Sequence, residues 1–339
     1  MMRLLRTSLA LALLFLPALG QTGTKSFTVQ ELYAPGKFSS RGFGGARWLK
    51  DGKRFVTTDL DTATRTTNLM IVDAASGGRS LFLDGSKLTT GSDAQPIRLG
   101  AYALSSDESK VLVAGPAPEK QYLSRLQPAG DLYVYDILAK TFSRLTSAGV
   151  EQWNQKFSPD GSAVAFVRGN DIYLVDLASG REQRITPDGT ENVINGKFDW
   201  VYEEEFGISD GFQFSPDGMR VAFWRLDQTR VPSFRMVDHA SLRSDDVVMK
   251  YPKAGDPNAI VQVGIIDLAS GNRVWVDLGA NDDIYVPRMT WQPDSKQLLV
   301  ARLNRKQNKL EFLGADPTTG ASIVLSTEET KAWIEESYS

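Results

Sequence analysis

Short apolar runs alternate with polar turns along most of the chain. Residues 164–167 and 221–224 are typical runs, rich in the β-branched and aromatic residues that favour strands. The turns combine Ser, Pro, Asp and Gly, as in residues 158–161 and 215–218. Proline presets φ at the first turn position, Asp bonds to nearby backbone, and Gly accepts positive φ. The pattern therefore predicts an all-β protein of short buried strands and tight turns.

The same strand and turn module occurs five times. Each copy begins with an apolar residue before a turn and continues into an apolar strand. A second strand follows further along the chain. The copies open at Trp48, Leu104, Phe157, Phe214 and Trp291, at spacings of 56, 53, 57 and 77 residues. Repeats of roughly 40 to 50 residues that contain several strands are typical of β-propeller blades. We therefore predict about five blades of a β-propeller.

The longest spacing and the end of the repeat region refine this fold. The 77-residue spacing indicates an insertion at about residues 237–259, in the fourth blade. Residues 328–339 suggest part of another blade. A β-sandwich is the alternative, but it would not keep turn and strand chemistry in phase over five copies. The prediction is a partial β-propeller over residues 45–339.

The N-terminus has the features of a secretory signal. Arg3 and Arg6 precede an apolar segment at residues 9–16, and small residues follow before Gln21. The apolar segment is far shorter than the ~20 residues that a membrane-spanning helix needs. We predict a signal peptide at residues 1–20, a lead-in at residues 21–44, and export to a periplasm or the medium without a stable membrane anchor. An uncleaved N-terminal anchor is the alternative.

Composition excludes several kinds of site. The 339 residues contain no Cys, which excludes disulfides, thiolate metal sites and a Cys nucleophile. The one histidine, His239, excludes a site built from several His ligands. The net charge of -3 argues against nucleic acid, because phosphate binding needs a basic surface. We therefore expect no cofactor, no metal and no nucleic-acid partner.

An acidic stretch precedes the fourth repeat. Glu203, Glu204 and Glu205 follow the aromatic residues Trp200 and Tyr202. Like charges in a row repel one another, but carboxylates accept strong hydrogen bonds from an ammonium or guanidinium group. Neighbouring side chains in a helical turn point about 100° apart, and Glu is long enough for two of them to reach one cation. The stretch is therefore a candidate cation site, with a solvated acidic surface as the alternative.

This stretch also resembles a known family. Residues 200–206, the strand repeat after them, and Val231-Pro232 resemble the propeller domain of the dipeptidyl peptidase IV branch of the prolyl oligopeptidase family. The resemblance extends from about residue 45 to the end of the chain. It implies that the chain contains part of an eight-bladed propeller.

The resemblance also implies which residues bind substrate. Glu204 and Glu205 would hold the free N-terminal amine of a peptide, with Glu203 as a neighbour. Arg125, which precedes the strand-like residues 132–136, would hold a substrate carbonyl. A solvated loop position is the alternative for Arg125, because the residues around it depart from the family pattern.

Residues 207–211 match the Gly-x-Ser-x-Gly pattern of serine hydrolases around Ser209. That pattern needs a strained elbow between a buried strand and a helix, whereas here a glutamate run precedes it and a strand follows. We interpret the match as a chance loop, and His239 as an exposed loop residue without a serine partner. No segment alternates strands with amphipathic helices, as an α/β-hydrolase domain must. We therefore predict no catalytic residue here and no peptide hydrolysis by this chain on its own.

Three functional hypotheses remain. The first is the substrate-recognition and gating propeller of an exported dipeptidyl peptidase IV-like serine peptidase, truncated before its catalytic domain, that releases N-terminal Xaa-Pro or Xaa-Ala dipeptides. Its partners would be peptide N-termini and a hydrolase domain or further blades supplied elsewhere. The second is a stand-alone propeller that acts as a binding or scaffold module. The third is a small metal-independent enzyme that uses Ser209.

Overall fold

The structure of the protein is a computed structural model. It describes residues 26–34, 38, 45–89, 96–97, 99, 101–116, 128–239 and 244–335. The predicted signal peptide and Arg125 lie outside these residues. Contacts divide the chain into two units, residues 1–46 and 47–339. In the first unit, α1 (Val29–Tyr33) begins with a capping box formed by Thr28 and Glu31. No helix in the described part of the chain is long and apolar enough to cross a membrane.

The second unit consists of antiparallel sheets that follow one another along the chain. The first sheet contains β1 (Arg47–Trp48), β2 (Arg54–Asp61), β3 (Thr66–Asp73) and β4 (Arg79–Leu83), and a 3-10 helix (Gly85–Lys87) follows it. The second contains β5 (Tyr102–Leu104), β6 (Lys110–Ala114), β7 (Leu132–Asp136) and β8 (Thr141–Arg144). The third contains β9 (Gln152–Phe157), β10 (Ala163–Arg168), β11 (Asp171–Asp176) and β12 (Glu182–Arg184). Each of these sheets is a meander, in which a strand pairs with the next one along the chain.

The fourth sheet departs from this plan. It contains β13 (Val193–Asn195), β14 (Phe212–Phe214) and β15 (Arg220–Asp227), followed after an insertion by β18 (Ile260–Asp267) and β19 (Arg273–Trp275). The insertion is a hairpin of β16 (Ser233–Asp238) and β17 (Asp245–Lys250), and a helix, α2 (Trp200–Glu205), lies between β13 and β14. The fifth sheet is again a meander, of β20 (Ile284–Trp291), β21 (Leu298–Asn304), β22 (Lys309–Ala315) and β23 (Ser322–Glu329). The hairpin accounts for the long spacing between the fourth and fifth repeats.

Every predicted repeat opens at the same structural position. In all five copies the opening residue is the last residue of the strand that precedes the turn, which is β1, β5, β9, β14 or β20: Trp48, Leu104, Phe157, Phe214 and Trp291. The turn that follows reaches a φ between 61° and 72° at one residue in each copy: Gly52, Glu108, Gly161, Gly218 and Ser295. The prediction of an all-β protein built from repeated blades is confirmed. Glycine is not required in every turn, since Glu and Ser hold the positive φ in two copies.

Buried apolar clusters join each sheet to the next. Pairs that share a cluster are Val56 and Val111 (first and second sheets), Leu112 and Val164 (second and third), Val167 and Phe223 (third and fourth), and Leu226 and Val300 (fourth and fifth). Among the described residues, no cluster joins the first sheet to the fifth. The sheets therefore stack as successive propeller blades, and the described residues do not close a ring.

The last described residues lie against the fifth sheet. Glu328 and Glu329, where the sequence suggested part of another blade, are the final residues of β23. Ile334 is buried in the cluster shared by the fourth and fifth sheets, and its N–H donates to the carbonyl of Gln307 at 2.7 Å. This stretch therefore completes the fifth blade.

Replacing Gly320 by Ala is expected to destabilise the protein much more than the same change at Gly77. Both residues close the turn between the third and fourth strands of a sheet, at φ +77° and +69°. A Cβ at Gly320 would lie 2.0 Å from the carbonyl oxygen of Trp275 in the neighbouring sheet, whereas a Cβ at Gly77 would meet nothing within 4 Å. We expect Gly77→Ala to cost about 1 kcal/mol and Gly320→Ala roughly 3 kcal/mol or more, measured by urea unfolding. Equal losses would show that this turn of the fifth sheet does not pack on the fourth.

Candidate functional site

The first strand of the fourth sheet is interrupted. β13 pairs with residues 225–227 of β15, and β14 pairs with residues 221–223 of the same strand. Trp224 lies between the two pairings; its C=O accepts from the Gly196 N–H and its N–H donates to the Gly211 C=O, each at 3.0 Å. The chain between these two glycines therefore leaves the sheet as an excursion whose ends meet at Trp224, and the excursion carries α2.

Helix α2 begins with a side-chain cap. The carboxylate of Asp199 accepts a hydrogen bond from the Tyr202 N–H at 3.1 Å, as an N-cap residue does. The helix ends at Phe206, whose N–H donates to the Tyr202 carbonyl at 3.3 Å. Six helical residues are too few to be stable in isolation, because nucleation costs more than so short a helix recovers. Contacts with the neighbouring sheets must therefore hold α2 in place.

Tyr202 attaches α2 to the fifth sheet. Its side chain is buried, and its hydroxyl accepts a hydrogen bond from the Val286 N–H at 3.0 Å. Trp224 Nε1 donates to the Val286 carbonyl at 2.8 Å. The pairing of β20 with β21 shifts register between Tyr285 and Arg288, and this bulge includes Val286. Both backbone polar groups of Val286 are thus bonded by side chains from the fourth blade.

Aromatic contacts support the helix on two further sides. The rings of Phe206 and Tyr285 meet with centroids 5.1 Å apart, and the Tyr285 hydroxyl accepts a hydrogen bond from Asn258 Nδ2 at 2.8 Å. Trp200, at the start of α2, packs on Tyr251 at 4.3 Å, just beyond the inserted hairpin. The helix is therefore enclosed by the fifth sheet and by the base of the hairpin.

The three glutamates of α2 differ in exposure. Glu204 and Glu205 are exposed, whereas Glu203 is partly buried. Burial lowers the pKa of the Lys197 ammonium, and the charge of Glu203 opposes that shift, so Glu203 lies near Lys197. Burial raises the pKa of Tyr285, and the charge of Glu205 adds to this effect, so Glu205 lies near Tyr285. Glu203 and Glu204 each also interact with another part of the chain.

Glu203 contributes to a cavity beside the helix. The cavity has a volume of about 360 Å³ and includes Trp153, Lys197, Trp200 and Lys250 in its lining. Lys197 and Lys250 line this cavity together with Glu203, whereas Glu204 and Glu205 are not among its lining residues. Glu203 therefore lies on this cavity, and its place as a neighbour of a ligand-binding pair stays a prediction.

The exposed pair is placed where negative potential accumulates. Glu204 and Glu205 occupy the last two positions of α2, where the helix dipole adds negative charge, and no basic residue lies in the last turn. Carboxylates at this end of a helix oppose folding slightly and attract a cation. Among the described residues no group of three or more His, Cys, Asp or Glu is placed to hold a metal ion.

The chain matches a family model. The model describes the dipeptidyl peptidase IV (DPP IV) N-terminal region, and the match covers residues 105–339. The chain belongs to this family.

Several dipeptidyl peptidases are similar to this chain. The crystal structure of Porphyromonas gingivalis dipeptidyl peptidase 4 superposes with a TM-score of 0.81 and 30% identity, over 92% of this chain and 43% of that one. A protein named probable dipeptidyl-aminopeptidase B from Emericella nidulans is 28% identical over 93% of this chain and 37% of its own length. The probable dipeptidyl peptidase 4 of Neosartorya fischeri is 30% identical over 64% of this chain and 29% of its own length. This chain therefore spans less than half the length of these dipeptidyl peptidases.

The structure places part of the site inferred from resemblance to the DPP IV family. Glu204 and Glu205 are adjacent and exposed on a helix that is anchored at Asp199 and Tyr202. Arg125 lies outside the described residues, so its place relative to the glutamates stays a prediction. The geometry gives two neighbouring carboxylates on a short helix at one edge of the fourth blade.

The serine and histidine of the alternative enzyme hypothesis occupy separate surface loops. Ser209 lies in the loop that runs from α2 into β14, and this helix-then-strand order is the reverse of a nucleophile elbow. His239 is exposed, as predicted, but the expectation that it has no serine partner is wrong. Its Nδ1 lies 3.3 Å from Ser244 Oγ. The two residues come together because Asp238, just before His239, pairs with Asp245, just after Ser244.

Sequence reasoning missed the residues that hold the site. Asp199 had a local signal, since an Asp three residues before Tyr202 is a normal N-cap spacing. Val286 had no such local signal. It lies 84 residues after Tyr202, and its role depends on a bulge in β20. The anchoring of α2 is thus a property of the fourth and fifth blades together.

The Asp199→Asn variant is expected to be more stable than the wild type at neutral pH. Burial raises the pKa of Asp199 to about 6 in the folded protein, above the ordinary value of 3.8. A raised carboxyl pKa contributes stability that is complete below pH 3.8 and is lost as pH rises through about 6. Asn caps a helix as well as Asp does and carries no charge. Unfolding free energies of the two proteins should be similar near pH 4 and should differ by up to roughly 3 kcal/mol at pH 7.

Asp61 provides a control of opposite sign. The backbone N–H groups of Ala63 and Thr64 lower the pKa of Asp61, so its contribution to stability is present above the ordinary pKa and lost in acid. The Asp61→Asn variant should therefore lose stability relative to wild type as pH rises through 4. If Asp199→Asn behaved like Asp61→Asn, Asp199 would not be a buried carboxyl with a raised pKa.

Proposed function

We propose that this chain is the substrate-recognition part of an exported serine peptidase of the dipeptidyl peptidase IV type. In this proposal Glu204 and Glu205 bind the protonated amine at the N-terminus of a peptide. The observation that carries the proposal is the exposed carboxylate pair at the end of a helix whose cap and central tyrosine are buried. Such anchoring supports a binding role, because groups held in advance lose little freedom when a ligand arrives.

The chemistry of the ligand follows from the pair. A peptide α-amine has a pKa near ~8 and is cationic at neutral pH. It offers three N–H donors, and two carboxylates accept charge-assisted hydrogen bonds from them. An N-acetylated peptide has neither the charge nor the donors. The proposed site therefore distinguishes a free N-terminus from a blocked one and from an internal peptide segment.

A fixed amine site also sets the length of the product. With the amine held at α2, a nucleophile at a constant distance would meet the bond after the second residue, and the product would be an Xaa-Pro or Xaa-Ala dipeptide. Arg125 would hold the carbonyl between the two points. The nucleophile, its base and the carboxylate that orients the base would come from a hydrolase domain supplied elsewhere. The names of the similar proteins, dipeptidyl peptidases, support this class of reaction.

Export and gating complete the proposal. The features of a signal peptide at residues 1–20 support secretion or transfer to a periplasm. Stacked blades surround a channel in propellers, and such a channel would restrict access to short or unfolded peptide ends. The enzyme would thus act on peptide N-termini outside the cytoplasm.

Binding of a dipeptide amide tests the amine site directly. Ala-Pro-amide should bind the chain, measured by NMR titration at pH 7, and N-acetyl-Ala-Pro-amide should not. Glu204→Ala and Glu205→Ala should each raise the Kd for the free amine roughly tenfold or more, because a hydrogen bond to a charged group contributes about 1.5–3 kcal/mol. Equal binding of the free and acetylated peptides would contradict the proposal.

Two controls accompany this titration. Glu328→Ala removes an exposed carboxylate of β23, so it changes net charge equally and should leave the Kd unchanged. The second control is a chromogenic Ala-Pro substrate mixed with the chain by itself, which should remain uncleaved. Turnover of that substrate would contradict the proposal that the catalytic groups come from another domain, and Ser209 would be the first residue to test.

A further inference from the structure

The excursion that carries α2 leaves the sheet at Gly196 and returns at Gly211. We call the chain on either side of α2 its two arms, and the place where the arms meet its neck. Hydrogen bonds hold the neck together from two sides. On one side the backbone of Trp224 in β15 bonds to Gly196 and Gly211, as described above. On the other side a single side chain of the third blade contacts both arms: Asn154 Nδ2 donates to the Gly196 carbonyl at 3.0 Å and to the Ser209 carbonyl at 2.9 Å. One amide group therefore holds together the residues that precede α2 and those that follow it.

The two arms approach too closely to admit side chains between them. A Cβ on Gly211 would lie 2.4 Å from the Gly196 carbonyl carbon and 2.6 Å from the Lys197 nitrogen. Backbone contact therefore sets how closely the two arms approach, and the hydrogen bonds from the Asn154 amide oppose their moving apart. A small change at this neck is transmitted to α2, since the helix begins three residues after Gly196 with the cap Asp199.

Local geometry of β9 directs Asn154 toward the neck. The pairing of β9 with β10 shifts register between Ala165 and Val167, so β9 has an extra residue at this point. Asn154 lies in this bulge with φ +57°, a conformation that Asn adopts more readily than most residues. Bulges commonly re-aim a side chain out of its normal alternation. This irregularity brings the Asn154 amide to the fourth blade.

Lys156 reinforces the attachment on the C-terminal arm. Its ammonium forms an ion pair with Asp210, donates to the Phe212 carbonyl at 2.7 Å, and lies 3.9 Å from the centroid of the Phe212 ring. These contacts fasten the arm where it re-enters the sheet as β14. Asn154 differs from Lys156 because it contacts both arms, so it is the residue that fixes their separation.

We propose that Asn154 is a positioning residue for the carboxylate pair on α2. The proposal rests on the amine-binding function proposed above for Glu204 and Glu205. Asn154 supplies the two N–H donors that the Gly196 and Ser209 carbonyls require, and a carboxylate in the same place supplies none. Without this amide the arms separate, α2 opens more often, and the two glutamates lose the common geometry that a single ammonium requires.

Two variants separate the amide from the backbone conformation. Asn154→Gly keeps the positive φ at no steric cost and removes the amide. Asn154→Asp keeps the shape and replaces both donors by acceptors that face the two carbonyls. Lys140→Gly is the matched control, because Lys140 also has a positive φ, +54°, but lies in the turn between β7 and β8 of the second blade.

Hydrogen exchange and amine selectivity are measured on the full chain for each variant. Both Asn154 variants should exchange the α2 amides that bond to Asp199 and Tyr202 about tenfold faster, while amides of the first blade stay at the wild-type rate. Both should also reduce, about tenfold, the ratio of Kd values for N-acetyl-Ala-Pro-amide and Ala-Pro-amide. Lys140→Gly should change neither quantity.

The outcomes decide between positioning and general stability. Faster exchange throughout the chain, with unchanged selectivity, would overturn the proposal and leave Asn154 as a contact between blades. Unchanged exchange in α2 would overturn it as well. If the wild type itself failed to distinguish the free from the acetylated peptide, the amine site would be wrong, and faster exchange confined to α2 would still support Asn154 as the residue that positions this helix.

Discussion

The segment that carries the exposed glutamates is held by β-bulges in the strands on both sides of it. In the third blade the bulge of β9 presents the Asn154 amide to both arms of the excursion. In the fifth blade the bulge of β20 presents the N–H and C=O of Val286 to Tyr202 and Trp224. The bulge of β20 frees backbone polar groups that a regular ladder would use, and the bulge of β9 re-aims a side chain. In both cases the groups bond to the one blade between them. The position of α2 thus depends on three successive blades.

The helix itself is poorly suited to independent stability. It has six residues, its last turn contains acidic rather than basic side chains, and its cap is a buried carboxyl with a raised pKa. Each of these features opposes folding by a modest amount. Aromatic packing by Phe206 and Tyr285 and the buried hydrogen bonds to Val286 offset that cost. Two neighbouring carboxylates that repel each other are thereby kept in place.

The fourth blade differs from the other blades in two places. Its first strand is split to make room for α2, and the connection between its second and third strands is lengthened by the hairpin of β16 and β17. The split lies in an edge strand and the hairpin lies in a connection beyond the strand ends, so β15 still pairs without interruption to β18. Because the central pairing and the apolar clusters between blades are kept, the fold accepts the insertions, and α2 is added to a scaffold that remains regular.

The sequence by itself determined the all-β fold, the five repeats, the position of the inserted hairpin and the identity of the acidic stretch. These features are local: turn residues set φ, apolar runs make strands, and charge density is visible in consecutive letters. The tertiary structure decided how the stretch is used. It separated Glu203 from the exposed pair, brought His239 to Ser244, and recruited Asn154 and Val286, which stand 42 and 84 residues from the groups they bond. These contacts depend on how the blades stack and on where the bulges fall. Neither can be read from a local sequence pattern, because packing between strands, rather than the residues of one strand, determines a register shift.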